Sequence, residues 1–304
     1  MSYDAPFPSP SPEALRAIAD RHGLSGEIVR MDTVGMVNAV WSIGDGAILR
    51  IPKDEPVSLA ETLAESVVAP IARDAGVLTP RLLAWDPACD LVSVPYTVWE
   101  RAPGRTFASV VADPADHPLW SDVGAAIASL HDVNPEVSDP HGWVPEESGL
   151  DPWDLLARAR GGCDLRAFQV DWVARWLDRL RPAFDGPRER RLLHDDLHPF
   201  NLLVDGPPGA EALTAILDWG DAGFGDSALE FVAIPSRAVP RALRGYRSVR
   251  PLDDLAVGRI VAWQLAIALD LVLGAPRIPP VIRWVELLRV DWADPSMRPW
   301  APPA

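Results

Sequence analysis

The chain has 304 residues and a mass of 33.1 kDa, enough to bury a sizeable core in one large domain or two modest ones. With 48% hydrophobic and 23% charged residues, and 32 prolines scattered among apolar segments, it is not a disordered chain, a collagen or a coiled coil. A net charge of −15 and a pI near 4.8 make it a poor candidate for binding a phosphate backbone, which needs clustered Lys and Arg, so no nucleic-acid partner is expected.

In chain order, Ser11-Pro12-Glu13 supplies a capping residue, a proline for the first turn and an early acid, which predicts a short helix closed by Gly23. Three β-rich runs follow, Glu27 to Met31, Ala39 to Ile43 and Ala47 to Ile51, the last two joined as a hairpin by Gly44-Asp45-Gly46. A helix is expected from Ser58 to Ala75, with Ser58 and Glu61 as a capping box and Gly76 as its stop. Arg81 to Trp85 and Leu91 to Trp99 read as strands around the Asp86-Pro87 turn.

After Pro103-Gly104 the pattern turns helical. Phe168, Trp172, Trp176 and Leu180 recur every four residues and predict an apolar stripe on a helix from Arg166 to Leu180. Leu255 to Leu273 and Val281 to Val290 also read as helices, and between them and the first lie short apolar runs at Leu192–Leu193, Leu202–Val204 and Leu213–Leu217. The expected organisation is a β-rich first third with one main helix, a short crossing near Glu100 to Gly104, and a mostly helical remainder. The two cysteines, Cys89 and Cys163, have no partner motif, the N-terminus has neither the basic start nor the apolar core of a signal peptide, and Ile260 to Leu273 is too short to span a bilayer. A cytoplasmic protein with no membrane partner is the expectation.

The residues with chemistry concentrate between Leu192 and Glu230. His194, Asp196, His198 and Asn201 lie on a loop between apolar runs, and Asp218 ends the next run. Two carboxylates and an amide oxygen would meet there. Hard oxygen ligands of this kind suit Mg²⁺, which takes a few protein ligands plus substrate phosphates, and one carboxylate is left for a substrate hydroxyl.

This segment resembles the aminoglycoside phosphotransferases and their relatives, a family with a protein-kinase-like fold. The family pattern H-G-D-L-H-x-x-N reads here as His194-Asp195-Asp196-Leu197-His198-Pro199-Phe200-Asn201, and it is followed by Ile216-Leu217-Asp218-Trp219 and Gly225-Asp226. Asp195 and Phe200 stand where the family commonly has glycine. The resemblance extends from about Thr33 to Asp270. It implies an α+β, two-lobed molecule: a nucleotide-binding lobe over residues 1–99, a hinge at 100–104, and a catalytic and acceptor-binding lobe over 105–304.

The resemblance also implies roles. Asp196 would receive the proton of the attacking hydroxyl, Asn201 and Asp218 would hold Mg²⁺ against the phosphates of ATP or GTP, and His194, His198 and Asp226 would support them. Arg50, in Ala47-Ile48-Leu49-Arg50, takes the basic strand position, with Lys53 as the alternative and Glu65 as the helix acid that orients it. Gly35 and Asn38 resemble the family's G-x-x-N turn over the phosphates. In the hinge, the backbone of Glu100 and Ala102 would pair with the purine edge, and Trp99 would stand behind that pocket or in plain core. Asp195, Trp263 and Asp270 are the candidates for lining the acceptor site, with core packing the competing reading for Trp263, as for Trp284 and Trp292.

The implied activity is transfer of the γ-phosphoryl group to a hydroxyl of an aminoglycoside or related cationic antibiotic. The alternatives are a kinase acting on a macrolide or a small metabolite such as choline or a sugar, and, from another class, a metal-dependent hydrolase using His194-x-Asp196-x-His198. Net charge does not locate the acceptor: residues 1–103 carry −6 and the rest −9.

Overall fold

The structure is a computed structural model that describes residues 4–32, 35–132, 139, 141–162, 165–186, 188–274 and 286–303. Ser11 caps the first helix, α1 (Pro12–Arg21), by accepting the Ala14 N–H. Five antiparallel strands follow around one long helix: β1 (Ile28–Arg30), β2 (Asn38–Ile43), β3 (Ala47–Pro52), α2 (Pro56–Asp74), β4 (Leu82–Asp86) and β5 (Tyr96–Glu100). Their spatial order is β1-β2-β3-β5-β4. The hairpin register, Ile43 opposite Ala47, places the turn at Gly44-Asp45-Gly46 as expected.

The α2 helix starts two residues before its predicted cap. Glu55, extended at φ −149°, is the residue before the first turn, and Pro56 occupies the position where a missing N–H costs nothing. Ser58 is wholly buried and donates its hydroxyl to Glu55, so the Ser58–Glu61 capping box does not form. The last strand of this sheet begins at Tyr96, not Leu91, just after Pro95, which has no N–H for a ladder.

The remainder contains β6 (Arg105–Thr106), α3 (Phe107–Val110), α4 (Trp120–His131), α5 (Pro152–Gly161), α6 (Ala167–Leu180), β7 (Arg190–Leu193), β8 (Leu202–Asp205), β9 (Ala212–Ile216), β10 (Gly223–Asp226), α7 (Val239–Val249) and α8 (Asp254–Val272). The short strands form two small antiparallel sheets, β6-β8-β9 and β10-β7. The buried face of α6 runs through Val170, Val173, Trp176, Leu177 and Leu180, whereas Phe168 is 65% exposed. A four-residue step overshoots one helical turn by about 40°, so a strict every-four stripe drifts off the core within three steps.

Two apolar clusters result. The smaller packs Ile18 of α1 against Trp41, Leu49 and Val98 of the five-stranded sheet. The larger joins the helical part to one face of α2 through Val68, Ala69 and Ala72. Inside it, α4 and α7 cross at glycines: a Cβ on Gly124 would lie 1.9 Å from the Ala242 carbonyl oxygen, and one on Gly245 would lie 1.8 Å from that of Ser121. The α8 helix, at 19 residues, is long and apolar enough to cross a membrane, longer than the Ile260–Leu273 stretch suggested, and most of it is buried inside the protein. Cys89 is exposed, while Cys163, Trp284 and the first half of the predicted Val281–Val290 helix lie outside the described residues.

Candidate active site

The loop from His194 to Asn201 joins β7 to β8, and its neighbour, Leu217 to Ala222, joins β9 to β10. His194 ties the two loops together. Its Nε2 donates to the Leu217 carbonyl at 2.9 Å, which leaves Nδ1 to accept the Asp196 N–H at 3.2 Å. Both ring nitrogens are thereby committed, so the hydrolase-like His194-x-Asp196-x-His198 set cannot bind a metal through His194. No group of three or more metal-ligating His, Cys, Asp or Glu exists among the described residues.

Beneath the loop sits Glu230, wholly buried and not anticipated from sequence. Its carboxylate accepts the N–H groups of His194 at 2.8 Å and Asp195 at 3.3 Å, and it lies 3.5 Å from Nε2 of His131, whose Nδ1 meets the Tyr246 hydroxyl at 3.0 Å. His131 and Tyr246 come from α4 and α7, so the tight glycine crossing of those helices supports the loop directly. A buried acid inside the apolar run Ala228 to Val232 was the available signal for Glu230, since such a group persists only when hydrogen-bonded.

The predicted oxygen ligands converge. Asn201 donates its Nδ2 to the Asp196 carboxylate at 2.9 Å and to the Asp196 carbonyl at 3.0 Å, leaving its own amide oxygen as the group available to a cation. The Asn201 carbonyl accepts the Leu217 N–H, one residue before Asp218. Asp218 adopts φ +64° and pairs with Arg50 at 2.9 Å. Arg50 also bonds Glu65 of α2 at 2.5 Å, and Glu65 accepts the Trp219 N–H at 3.4 Å. Contacts therefore run from Glu65 through Arg50 to Asp218, and from Asn201 to Asp196, and the backbone bond between Leu217 and Asn201 ties the two sets together. Burial works against charge on Asp218, but the Arg50 guanidinium outweighs it and holds the carboxyl below its usual range. On Glu65, which is more deeply buried, burial prevails and pushes the carboxyl up despite Arg50.

Arg50 and Lys53 have different surroundings. Lys53 is buried with Nζ 4.6 Å over the Phe7 ring, whereas Arg50 joins Glu65 and Asp218. Gly35 is exposed between β1 and β2, whereas Asn38 is buried as the first residue of β2. Trp99 packs in the larger core with its indole N–H on Thr97 at 2.8 Å. The Glu100 N–H is already bonded to the Arg81 carbonyl, so only its carbonyl remains for a ligand, and Ala102 lies on the crossing segment two residues on.

A profile of the phosphotransferase enzyme family matches residues 32–260, about three quarters of the sequence. The chain belongs to this family. Its fold is that of the kinase-like aminoglycoside phosphotransferases. The GDP complex of wild-type aminoglycoside 2'-phosphotransferase-IIIa superposes with a TM-score of 0.63 at 16% identity, covering 95% of this chain and 96% of that one. The macrolide 2'-phosphotransferase from Brachybacterium faecium gives 0.60 at 23% identity, covering 96% and 98%. A choline/ethanolamine kinase family protein from Mesorhizobium loti gives 0.59 at 19% identity, covering 95% of each.

As a phosphotransferase with a hydroxyl acceptor, the protein carries one unusual residue beside Asp196. Asp195 takes φ +62°, the left-handed region where glycine is at ease and Asp is tolerated. Burial and the surrounding charges of Glu230, Glu147, Asp221 and Asp196 push its carboxyl up to about 9. Glu147 was not foreseen either; its N–H bonds the Phe224 carbonyl at 2.7 Å, and burial raises its carboxyl too. The other acceptor candidates fare differently. Trp263 is core, edge-on to Phe184 with ring centroids 5.6 Å apart. Asp270 is half-buried in the last turn of α8, and Trp292 packs edge-on against Trp176. Asp226 is buried against Arg259 of α8 at 2.7 Å and accepts the Ala228 N–H, which braces β10 and the turn after it.

Proposed function

We propose that this phosphotransferase transfers the γ-phosphoryl group of ATP or GTP to a hydroxyl of a small cationic acceptor, of the aminoglycoside or a related antibiotic class. The observation that carries the reading is the pairing of Arg50 with Glu65 and Asp218 next to the Asn201–Asp196 bond, the two joined by the backbone bond from Leu217 to Asn201. Phosphoryl transfer needs a guanidinium or ammonium for phosphate oxygens, oxygen ligands for the divalent ion and a carboxylate for the hydroxyl proton, side by side. The donor set suits Mg²⁺: one carboxylate, Asp218, and one amide oxygen, Asn201, with phosphate oxygens completing the shell. Bound there, the ion would neutralise charge on the phosphates. Residues 100–104 would then act as the hinge between lobes, reading the purine through the Glu100 carbonyl and the Ala102 backbone.

The acceptor class is inferred from charge. Asp195 and Glu147 crowd carboxyls beside Asp196, and neither forms an ion pair among the described residues. A cationic amine on the acceptor would relieve that repulsion, whereas a neutral sugar would leave it in place. The test is a coupled assay of nucleotide consumption with ATP and with GTP, in Mg²⁺, across aminoglycosides, macrolides, choline and simple sugars. Turnover with aminoglycosides and none with neutral sugars is expected; turnover confined to uncharged acceptors would overturn the acceptor class.

A further inference from the structure

The two carboxylate oxygens of Asp196 have unequal surroundings. Oδ2 receives the Asn201 amide at 2.9 Å and lies 3.2 Å from Nε2 of His198, while no donor reaches Oδ1 among the described residues. The loop is wound tightly enough to bring His198 back onto the residue two before it, because the His198 N–H bonds the Asp196 carbonyl at 3.0 Å and the Asn201 N–H bonds the His198 carbonyl at 2.9 Å. The imidazole is held at its other end as well. Nδ1 accepts the Phe200 N–H at 3.2 Å, so the ring hydrogen sits on Nε2, facing Asp196. Both side chains keep about a third of their surface open, 34% for His198 and 30% for Asp196, so the pair is reachable from solvent.

We propose that His198 is a positioning residue for phosphoryl transfer: its Nε2–H, with the Asn201 amide, pins Oδ2 of Asp196 so that Oδ1 alone meets the acceptor hydroxyl. This rests on the phosphotransferase reading above. In the transfer step the hydroxyl O–H bond breaks and its proton passes to Oδ1. The hydroxyl oxygen forms a bond to the γ-phosphorus as the bond from that phosphorus to the β–γ bridging oxygen breaks, and the nucleoside diphosphate leaves with the electron pair. Without His198 the carboxylate is held by Asn201 alone. Torsions of this kind have broad, two-fold wells, so the two oxygens would then exchange places and the hydroxyl would lose its fixed partner.

His198→Leu and His198→Gln separate this role from a structural one, because the glutamine amide offers an N–H where Nε2 stood. His198→Leu is expected to lower kcat by about 10–100-fold with KM for the nucleotide unchanged, and His198→Gln to recover most of that loss. A fall in kcat that glutamine does not rescue, or a rise in nucleotide KM with kcat intact, would overturn the proposal. A second measurement needs no turnover: long-range ¹H–¹⁵N correlation of the histidine rings in the wild type and in Asp196→Asn. The hydrogen is expected on Nε2 of His198, with that nitrogen's signal moving in Asp196→Asn. A hydrogen on Nδ1 alone, or a signal indifferent to Asp196→Asn, would overturn the bond itself. A wild type that transfers nothing from ATP or GTP to any acceptor or to water would fail the functional reading, and the NMR result would still decide the contact.

Discussion

On the Arg50 side of the site, charges are matched: the guanidinium lies between Glu65 and Asp218, and Asp218 is held below its usual range by that cation. On the Asp195 side, carboxyls gather, and neither Asp195 nor Glu147 forms an ion pair among the described residues: Asp195 is pushed up to about 9, and Glu147 is raised by its burial. The difference is one of preparation. The first side is built with its own counter-charges and is ready to exchange one carboxylate for phosphate oxygens. The second holds unrelieved repulsion, which favours a ligand that brings positive charge.

The largest way to break this contrast is to remove the matching cation. Arg50→Ala leaves Glu65 buried beside Asp218 without compensation, and such broken pairs cost about 3–5 kcal/mol. A large drop in denaturant midpoint together with loss of nucleotide binding by calorimetry is expected. The double variant Arg50→Met, Glu65→Leu sharpens the point: stability should return while nucleotide binding does not.

A smaller effect comes from the support shared by both sides. In Gly245→Ala the new methyl has no room against the Ser121 carbonyl, and overpacking of this kind costs about 1–3 kcal/mol. Because α7 also carries Tyr246 of the Glu230–His131 network, the variant should lose activity along with thermal stability. An unchanged melting temperature would mean that α4 and α7 slide apart freely.

The smallest expected effect tests the unmatched side. Asp195 has a folded-state pKa of about 9 against an ordinary 3.8, so its favourable contribution is complete below about pH 4 and is lost as pH rises toward 9. Asp195→Asn, which keeps a residue tolerated at positive φ, should match the wild type near pH 4. At pH 8 it should melt at a higher temperature than the wild type, because the wild-type carboxyl there resists the ionisation that the unfolded chain allows. Equal melting curves at both pH values would mean that the carboxyl is relieved by a partner.

Much of the first half was legible because its signals are local. The Ser11 cap, the Gly44-Asp45-Gly46 turn and the basic residue on β3 each act within a few positions of themselves. The spacing of Asp196 and Asn201 was likewise readable, since one short loop carries both and their side chains bond directly. For Glu230 the sequence offered only an acid set among apolar residues, and its partners were not readable, because they are backbone N–H groups some 35 residues away, at His194 and Asp195. The same holds for α4 and α7, whose identity lies in a mutual crossing at Gly124 and Gly245 and whose first turns have no side-chain cap. Trp263 was ambiguous for a related reason: an indole lining a pocket and one filling a core have the same sequence signature, and packing against Phe184 decides between them.

The central claim, that Asp196 meets the acceptor hydroxyl while Arg50, Asn201 and Asp218 serve the nucleotide, is tested most directly by Asp196→Ala. Phosphoryl transfer from Mg²⁺-nucleotide should fall by about 1000-fold, the scale of a lost general base, with calorimetric nucleotide affinity unchanged. Turnover near that of the wild type would contradict the account.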